Sequence, residues 1–130
     1  MNYEGFLNQV IDEGIAGAKE DYCKPEDADK LKGSLLGFEE CRGKDVIELT
    51  VLLDGARKKT IEKHRDSAPD YWYWRCREGE IEWVVNVVSA LMLATKRTPI
   101  INPTARGYMK MAEIIRKDEG CMAVREGVTI

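Results

Sequence analysis

Apolar side chains between Phe6 and Ala18 recur every three or four residues, which predicts a first amphipathic helix over about residues 3–19. A second helix is predicted from Pro25, because proline is favoured in the first turn, where its missing N–H is not needed. Gly43 is expected to end that helix. The first 45 residues therefore predict a pair of helices joined by a short turn.

Capping signals predict where the next two helices begin. Asp45 is followed three residues later by Glu48, the spacing of a capping box, so a third helix is expected to open there and to end before Pro69. Ser67, with Pro69 and an acid three residues after the serine, predicts the start of a long fourth helix over about residues 68–95.

The second half of the fourth helix, Val84–Ala94, is apolar on every side, which is typical of a helix surrounded by protein. Its valines would also suit a buried strand, but the helical pattern upstream favours a helix. An extended connector over 98–101, a fifth helix over about 103–117 and a short tail complete the chain. The prediction is a single all-α domain, 1–130, with about five helices packed around a central apolar helix.

Composition narrows the class of protein. The chain has 130 residues, with 20 Lys and Arg against 23 Asp and Glu, so its net charge of −3 does not favour direct nucleic-acid binding. No signal peptide or membrane span is visible, and the four cysteines form no C-x-x-C pair. We therefore expect a cytoplasmic protein with reduced thiols and without a resident cofactor.

Negative charge is concentrated in the first third of the chain. Residues 1–45 hold 11 acids and 6 bases, whereas residues 46–130 hold 12 acids and 14 bases. The acids around the first turn would fit a cationic groove on a protein that handles nucleic acid; they are Glu20, Asp21, Glu26 and Asp27. The alternative is a solvated loop.

Four aromatic residues follow one another at the start of the fourth helix, and Arg75 comes directly after them: Tyr71, Trp72, Tyr73, Trp74. Successive helical positions are about 100° apart, so these rings cannot all face one core. Tyr, Trp and Arg dominate binding hot spots, so this run is a candidate surface for a partner protein. Packing within the molecule, stacking on a nucleobase and the seam of a homodimer are the alternatives.

Carboxylates on two predicted helices form a candidate magnesium site, since Mg²⁺ takes oxygen ligands. They are Glu39 and Glu40 on the second helix, and Glu78 and Glu82 on the fourth. This constellation resembles the all-α nucleoside triphosphate pyrophosphohydrolases, and the resemblance implies magnesium bound against a triphosphate. Solvent-facing glutamates are the alternative.

Basic and hydroxyl side chains cluster around the predicted start of the fifth helix: Lys96, Arg97, Thr104 and Arg106. A helix N-terminus has free N–H groups and a positive dipole end, so this is a candidate site for a phosphate or carboxylate; a basic helix start without a ligand is the alternative.

Three stretches of the chain are similar to small accessory proteins of bacteriophages and prophages: Leu36–Gly43, Glu82–Ala90 and Pro103–Gly107. The resemblance implies an accessory role, including inhibition of a host defence component in the manner of anti-CRISPR proteins. Our leading hypothesis is a binding protein that inhibits a host protein by masking its surface and has no catalytic residue. The alternative is a nucleotide-handling protein, either a magnesium-dependent pyrophosphohydrolase or a nucleotide sponge.

Overall fold

Every regular element that the structure describes is helical. The computed structural model describes residues 3–94, and an all-α architecture is confirmed over that range. It contains a 3-10 turn, Pro25–Asp27, and four α-helices: α1 (Tyr3–Asp21), α2 (Ala28–Cys41), α3 (Val46–Arg65) and α4 (Tyr71–Ala94). The described range thus shows four of the about five helices predicted. The fifth, with its connector and the tail, lies outside the described residues.

The start of α3 follows the predicted capping box. The Glu48 N–H donates to the Asp45 carboxylate at 2.8 Å, and the Asp45 N–H donates to the Glu48 carboxylate at 3.2 Å. Both bonds satisfy donors that the first turn of a helix leaves free. The prediction from residue spacing is confirmed here because the motif is local.

The predicted start of the second helix at Pro25 is displaced. Pro25–Asp27 forms a 3-10 turn, and the α-helix begins only at Ala28. The Asp27 side chain makes no capping bond, so the local sequence signal is weak at this point. The end of α2 lies close to its predicted place, since Gly43, two residues beyond Cys41, takes a φ of +72°.

Ser67 does not cap α4 as predicted; it terminates α3. Its φ is +48°, and its N–H donates to the His64 carbonyl at 3.1 Å. The next N–H, of Ala68, donates to the Lys63 carbonyl at 3.0 Å. This pair of bonds is the Schellman motif, in which a left-handed residue follows a helix. Consequently α4 begins at Tyr71, three residues later than predicted.

Replacing Ser67 by glycine is expected to stabilise the protein by about 1 kcal/mol, because only glycine enters the left-handed region without a steric penalty. The free energy of unfolding, measured by urea titration, checks the gain. The matched control is Ala16→Gly at an exposed position within α1, which should lose about 1 kcal/mol. A loss of stability for Ser67→Gly would contradict the assigned turn.

Two antiparallel helical pairs make up the described fold. In the first, α1 runs against α2, which places Arg42 beside Asn8, with 3.4 Å between Nη1 and Oδ1. In the second, α3 runs against α4: the Thr60 hydroxyl donates to the Trp74 carbonyl at 3.2 Å. The helix α4 contacts each of the other three helices and is central, as predicted.

The helices α2 and α4 join the two pairs and run parallel to each other. Gly33 faces the backbone of Tyr73, and Gly37 faces the backbone of Arg77. A Cβ built on Gly33 would overlap the Tyr73 carbonyl oxygen, and one on Gly37 would lie 2.6 Å from the Arg77 carbonyl oxygen. Ser34, between the two glycines, is fully buried. This glycine seam lets the two backbones come nearly into contact.

The core lies around the second half of α4. From Val84 to Ala90 every side chain is buried, in agreement with the apolar pattern, and the backbone is helical rather than extended. Phe6, Phe38 and Leu49 contribute to this core from α1, α2 and α3. No helix within residues 3–94 has the length and apolar character that crossing a membrane requires.

Candidate binding surface

The turn between α1 and α2 presents several carboxylates to solvent. Glu20 and Asp21 are exposed at the end of α1, and Glu26 is exposed on the 3-10 turn. Asp27 is half-buried. Four acids, Glu20, Asp21, Glu26 and Asp27, outnumber the one base of the same segment, Lys24, so the turn is negatively charged.

The aromatic run at the start of α4 is divided between interior and solvent, as its 100° spacing requires. Trp72 is 56% exposed, whereas Tyr71, Tyr73 and Trp74 are half-buried. The centroid of the Tyr71 ring lies 5.1 Å from that of the Trp72 ring and 5.5 Å from that of the His64 ring. Trp72 is therefore an exposed ring with a packed neighbour behind it.

The acidic turn and the exposed tryptophan lie at the same end of the molecule. Since α2 and α4 run parallel, the first turn of α2 meets the first turn of α4, and Lys30 Nζ lies 5.1 Å from the centroid of the Trp72 ring. The acidic turn leads directly into this part of α2. We call this surface the acidic aromatic end; it comprises Glu20, Asp21, Glu26, Asp27, Lys30 and Trp72. Lys30 was not among the residues predicted from the sequence.

Trp74 has a structural role. Its indole N–H donates to the Asp70 carboxylate at 2.9 Å, and this bond, with Lys63 nearby, lowers the pKa of Asp70. Cations surround the ring: Lys59 Nζ lies 5.0 Å, Lys63 Nζ 5.8 Å and Arg77 Cζ 5.5 Å from its centroid. Such contacts stabilise a partly buried ring. Trp74 thus ties α3 to α4 and is not part of the acidic aromatic end.

The contacts of Tyr73 and Arg75 lie along α4 and toward α2. The Tyr73 ring packs edge-on against Trp74 with 4.9 Å between centroids, and its carbonyl faces the glycine seam. Arg75 is exposed, and its guanidinium extends along α4 to within 3.2 Å of the Cβ position of Gly79. Of the four aromatic residues in the predicted run, Trp72 is the exposed one, and it contacts Lys30 of α2.

The glutamates of the magnesium hypothesis lie at separate helix interfaces. Glu40 accepts two hydrogen bonds from the Arg77 guanidinium on α4, at 2.5 and 2.9 Å. Glu39 accepts from Arg42 Nε at 2.9 Å, and this bond lowers the pKa of Glu39. The same arginine donates to Asp12 on α1 at 2.7 Å. Each of these two carboxylates therefore has its own arginine.

On α4, Glu82 makes a different ion pair. Glu82 faces α3, where its carboxylate lies 3.5 Å from Arg57 Nη2. Glu78 is half-buried on α4. No group of three or more His, Cys, Asp or Glu side chains among residues 3–94 is arranged to hold a metal ion. The four glutamates on which the resemblance to pyrophosphohydrolases rests therefore form no such group within the described residues.

The anion-site residues Lys96, Arg97, Thr104 and Arg106 lie outside the described residues. Cys23, Cys41 and Cys76 are free thiols in the described range. Burial raises the pKa of Cys41 to about 12, which keeps this thiol protonated and unreactive at neutral pH.

Comparison of the chain with protein-family models, with curated proteins and with solved structures finds no match.

Proposed function

We propose that this protein is a binding protein of the bacteriophage accessory type that inhibits a host protein by covering one of its surfaces. The observation that carries the proposal is the contact between Lys30 and the exposed Trp72, at the end of the fold where α2 follows the acidic turn. A nucleic-acid-handling defence component, such as a CRISPR nuclease, is the target class that we favour, because its nucleic-acid groove is cationic.

The two parts of the acidic aromatic end would contribute differently to binding. An exposed tryptophan held by a packed neighbour can bury a large rigid area on a partner without much loss of conformational entropy. Surface carboxylates mainly accelerate association and select a basic partner, and their effect weakens as salt rises. We therefore expect a tight contact at Trp72 and an association rate that falls as the salt concentration rises.

Trp72→Ala is expected to weaken target binding by about 30-fold, which corresponds to the roughly 2 kcal/mol of an interface hot spot. The measurement is affinity capture from lysate of the bacterial host, followed by a titration with the captured protein once it is purified. The matched control is Ile47→Ala, which removes another exposed apolar side chain, 66% accessible, from the start of α3. This control should bind as the unmodified protein does.

Inhibition is tested separately from capture. If the target is a CRISPR nuclease, addition of the unmodified protein should slow cleavage of a matched plasmid, and Trp72→Ala should restore it. Equal capture by Trp72→Ala and the unmodified protein would overturn the role of the acidic aromatic end. A dimer in light scattering that Trp72→Ala converts to a monomer would instead assign this surface to self-association.

A further inference from the structure

A cavity of about 300 Å³ lies between α1, α2 and α4, next to the acidic turn. Asp21 and Tyr22, at the end of α1, belong to its wall, so the cavity adjoins the acidic aromatic end. Its volume is at the lower limit for small-molecule pockets, which run from about 300 to 1,000 Å³, and suits a single side chain better than a nucleotide.

The wall of this cavity combines aromatic faces with carboxylates. Phe38 from α2 and Trp83 from α4 meet edge-to-face, with 5.9 Å between ring centroids. Tyr22 adds a third ring, and three carboxylates, those of Glu13, Asp21 and Glu80, line the same space. Aromatic faces and carboxylates together attract organic cations, whereas they repel phosphates.

Gly17 on α1 keeps one side of the cavity open. A Cβ built on Gly17 meets no atom within 4 Å, so this part of the wall has no side chain. Burial raises the pKa of the Tyr22 hydroxyl, the neighbouring Cys76 thiol raises it further, and Glu80 and Asp21 make smaller contributions in the same direction. The charged residues that line the cavity, Glu13, Asp21 and Glu80, are all acidic, which is the sign of charge that attracts a cation.

We infer that this cavity receives an arginine side chain of the protein that the acidic aromatic end binds; the inference rests on the proposed function. A guanidinium is flat, so it stacks on aromatic rings, and its N–H groups pair with carboxylates two at a time. Lysine has a compact, strongly hydrated charge and stacks less favourably on aromatic rings. An arginine anchored here would add a contact to the partner next to Asp21 of the acidic aromatic end.

The test uses short peptides as probes and does not depend on knowing the target. The ¹⁵N-labelled protein in 150 mM NaCl is titrated with acetyl-Gly-Arg-Gly-amide, and with the same peptide carrying citrulline, which has nearly the same shape but no charge. The arginine peptide should shift the amide signals of Gly14 and Gly17 and the indole signal of Trp83. Its affinity should exceed that of the citrulline peptide by about tenfold or more.

Variants of residues in the cavity wall distinguish binding inside the cavity from non-specific attraction between charges. Gly17→Leu should fill the open space and remove binding, whereas Ala16→Leu, at the next, exposed position of α1, should leave it unchanged. Glu80→Gln should weaken the arginine peptide and not the citrulline peptide. Equal affinity for both peptides, or unchanged arginine binding in folded Gly17→Leu, would overturn the inference.

The same peptides distinguish this inference from the proposed function. Trp72→Ala should bind the arginine peptide as well as the unmodified protein does, because Trp72 does not line the cavity. If the peptide binds the cavity but Trp72→Ala still captures the target, the proposed surface is wrong and the cation site stands. If Trp72→Ala loses the target but no peptide enters the cavity, the arginine site is wrong and the surface stands.

Discussion

Phe38→Ala is expected to lower the free energy of unfolding by about 4 kcal/mol, as is usual when a fully buried phenylalanine is truncated. Phe38 is 1% exposed and packs its ring against Trp83 and against the backbone of α1 at Gly14. Its removal would separate α1 from α2 and α4 at their common contact. Urea titration followed by circular dichroism measures the loss, and Ile61→Ala, at a site 65% exposed, should change stability by no more than about 0.5 kcal/mol.

A double-mutant cycle makes this prediction specific to the packing. A Cβ built on Gly14 would overlap the Phe38 ring, so Gly14→Ala alone should destabilise the protein. In the Phe38→Ala background the ring is gone, and the same exchange should be neutral or stabilising because alanine is the better helix former. Additive effects of the two substitutions would show that Gly14 and Phe38 do not share this contact.

Gly33→Ala is expected to destabilise the protein by about 3 kcal/mol, near the upper end for overpacking. The added methyl group would meet the Tyr73 carbonyl, which is backbone and cannot rotate away, so α2 and α4 would have to move apart. Such a shift would also strain the Glu40–Arg77 ion pair.

The matched control for this exchange is another helical glycine. Gly55 lies on the exposed side of α3, where a Cβ would meet nothing within 4 Å, and Gly55→Ala should therefore stabilise by about 1 kcal/mol. Chemical denaturation of both variants gives the comparison. The same sign for Gly33→Ala and Gly55→Ala would be incompatible with a tight seam between α2 and α4.

Features of the fold that depend on neighbouring residues could be predicted from the sequence. The Asp45–Glu48 capping box is one such feature, and the burial of every side chain from Val84 to Ala90 is another, since each is encoded in one short segment. Ser67 shows the limit of such reasoning. Its side chain suits a helix start, but the chain uses its backbone to end the preceding helix, and only the observed φ distinguishes the two.

The candidate site depends on which helices are neighbours, and neither the acidic turn nor the aromatic run indicates this by itself. The acidic turn and the aromatic run were each visible, but their meeting requires α2 and α4 to run parallel. The signal for this arrangement was present as two glycines four residues apart, Gly33 and Gly37, the spacing of small residues that permits close helix contact. The arginine partners of Glu39 and Glu40 could not be predicted from the sequence for the same reason.

The glycine seam joins residues that are 40 positions apart in the chain, whereas each antiparallel pair joins helices that follow one another. Closing a longer loop has a larger entropic penalty, and chains rich in local contacts fold faster. Contacts near the connecting turn of each antiparallel pair close shorter loops, so we expect the α1–α2 and α3–α4 pairs to form before they dock along the seam. Until then the apolar surface of α4 is open to other molecules, and this interval is when the chain is most exposed to aggregation.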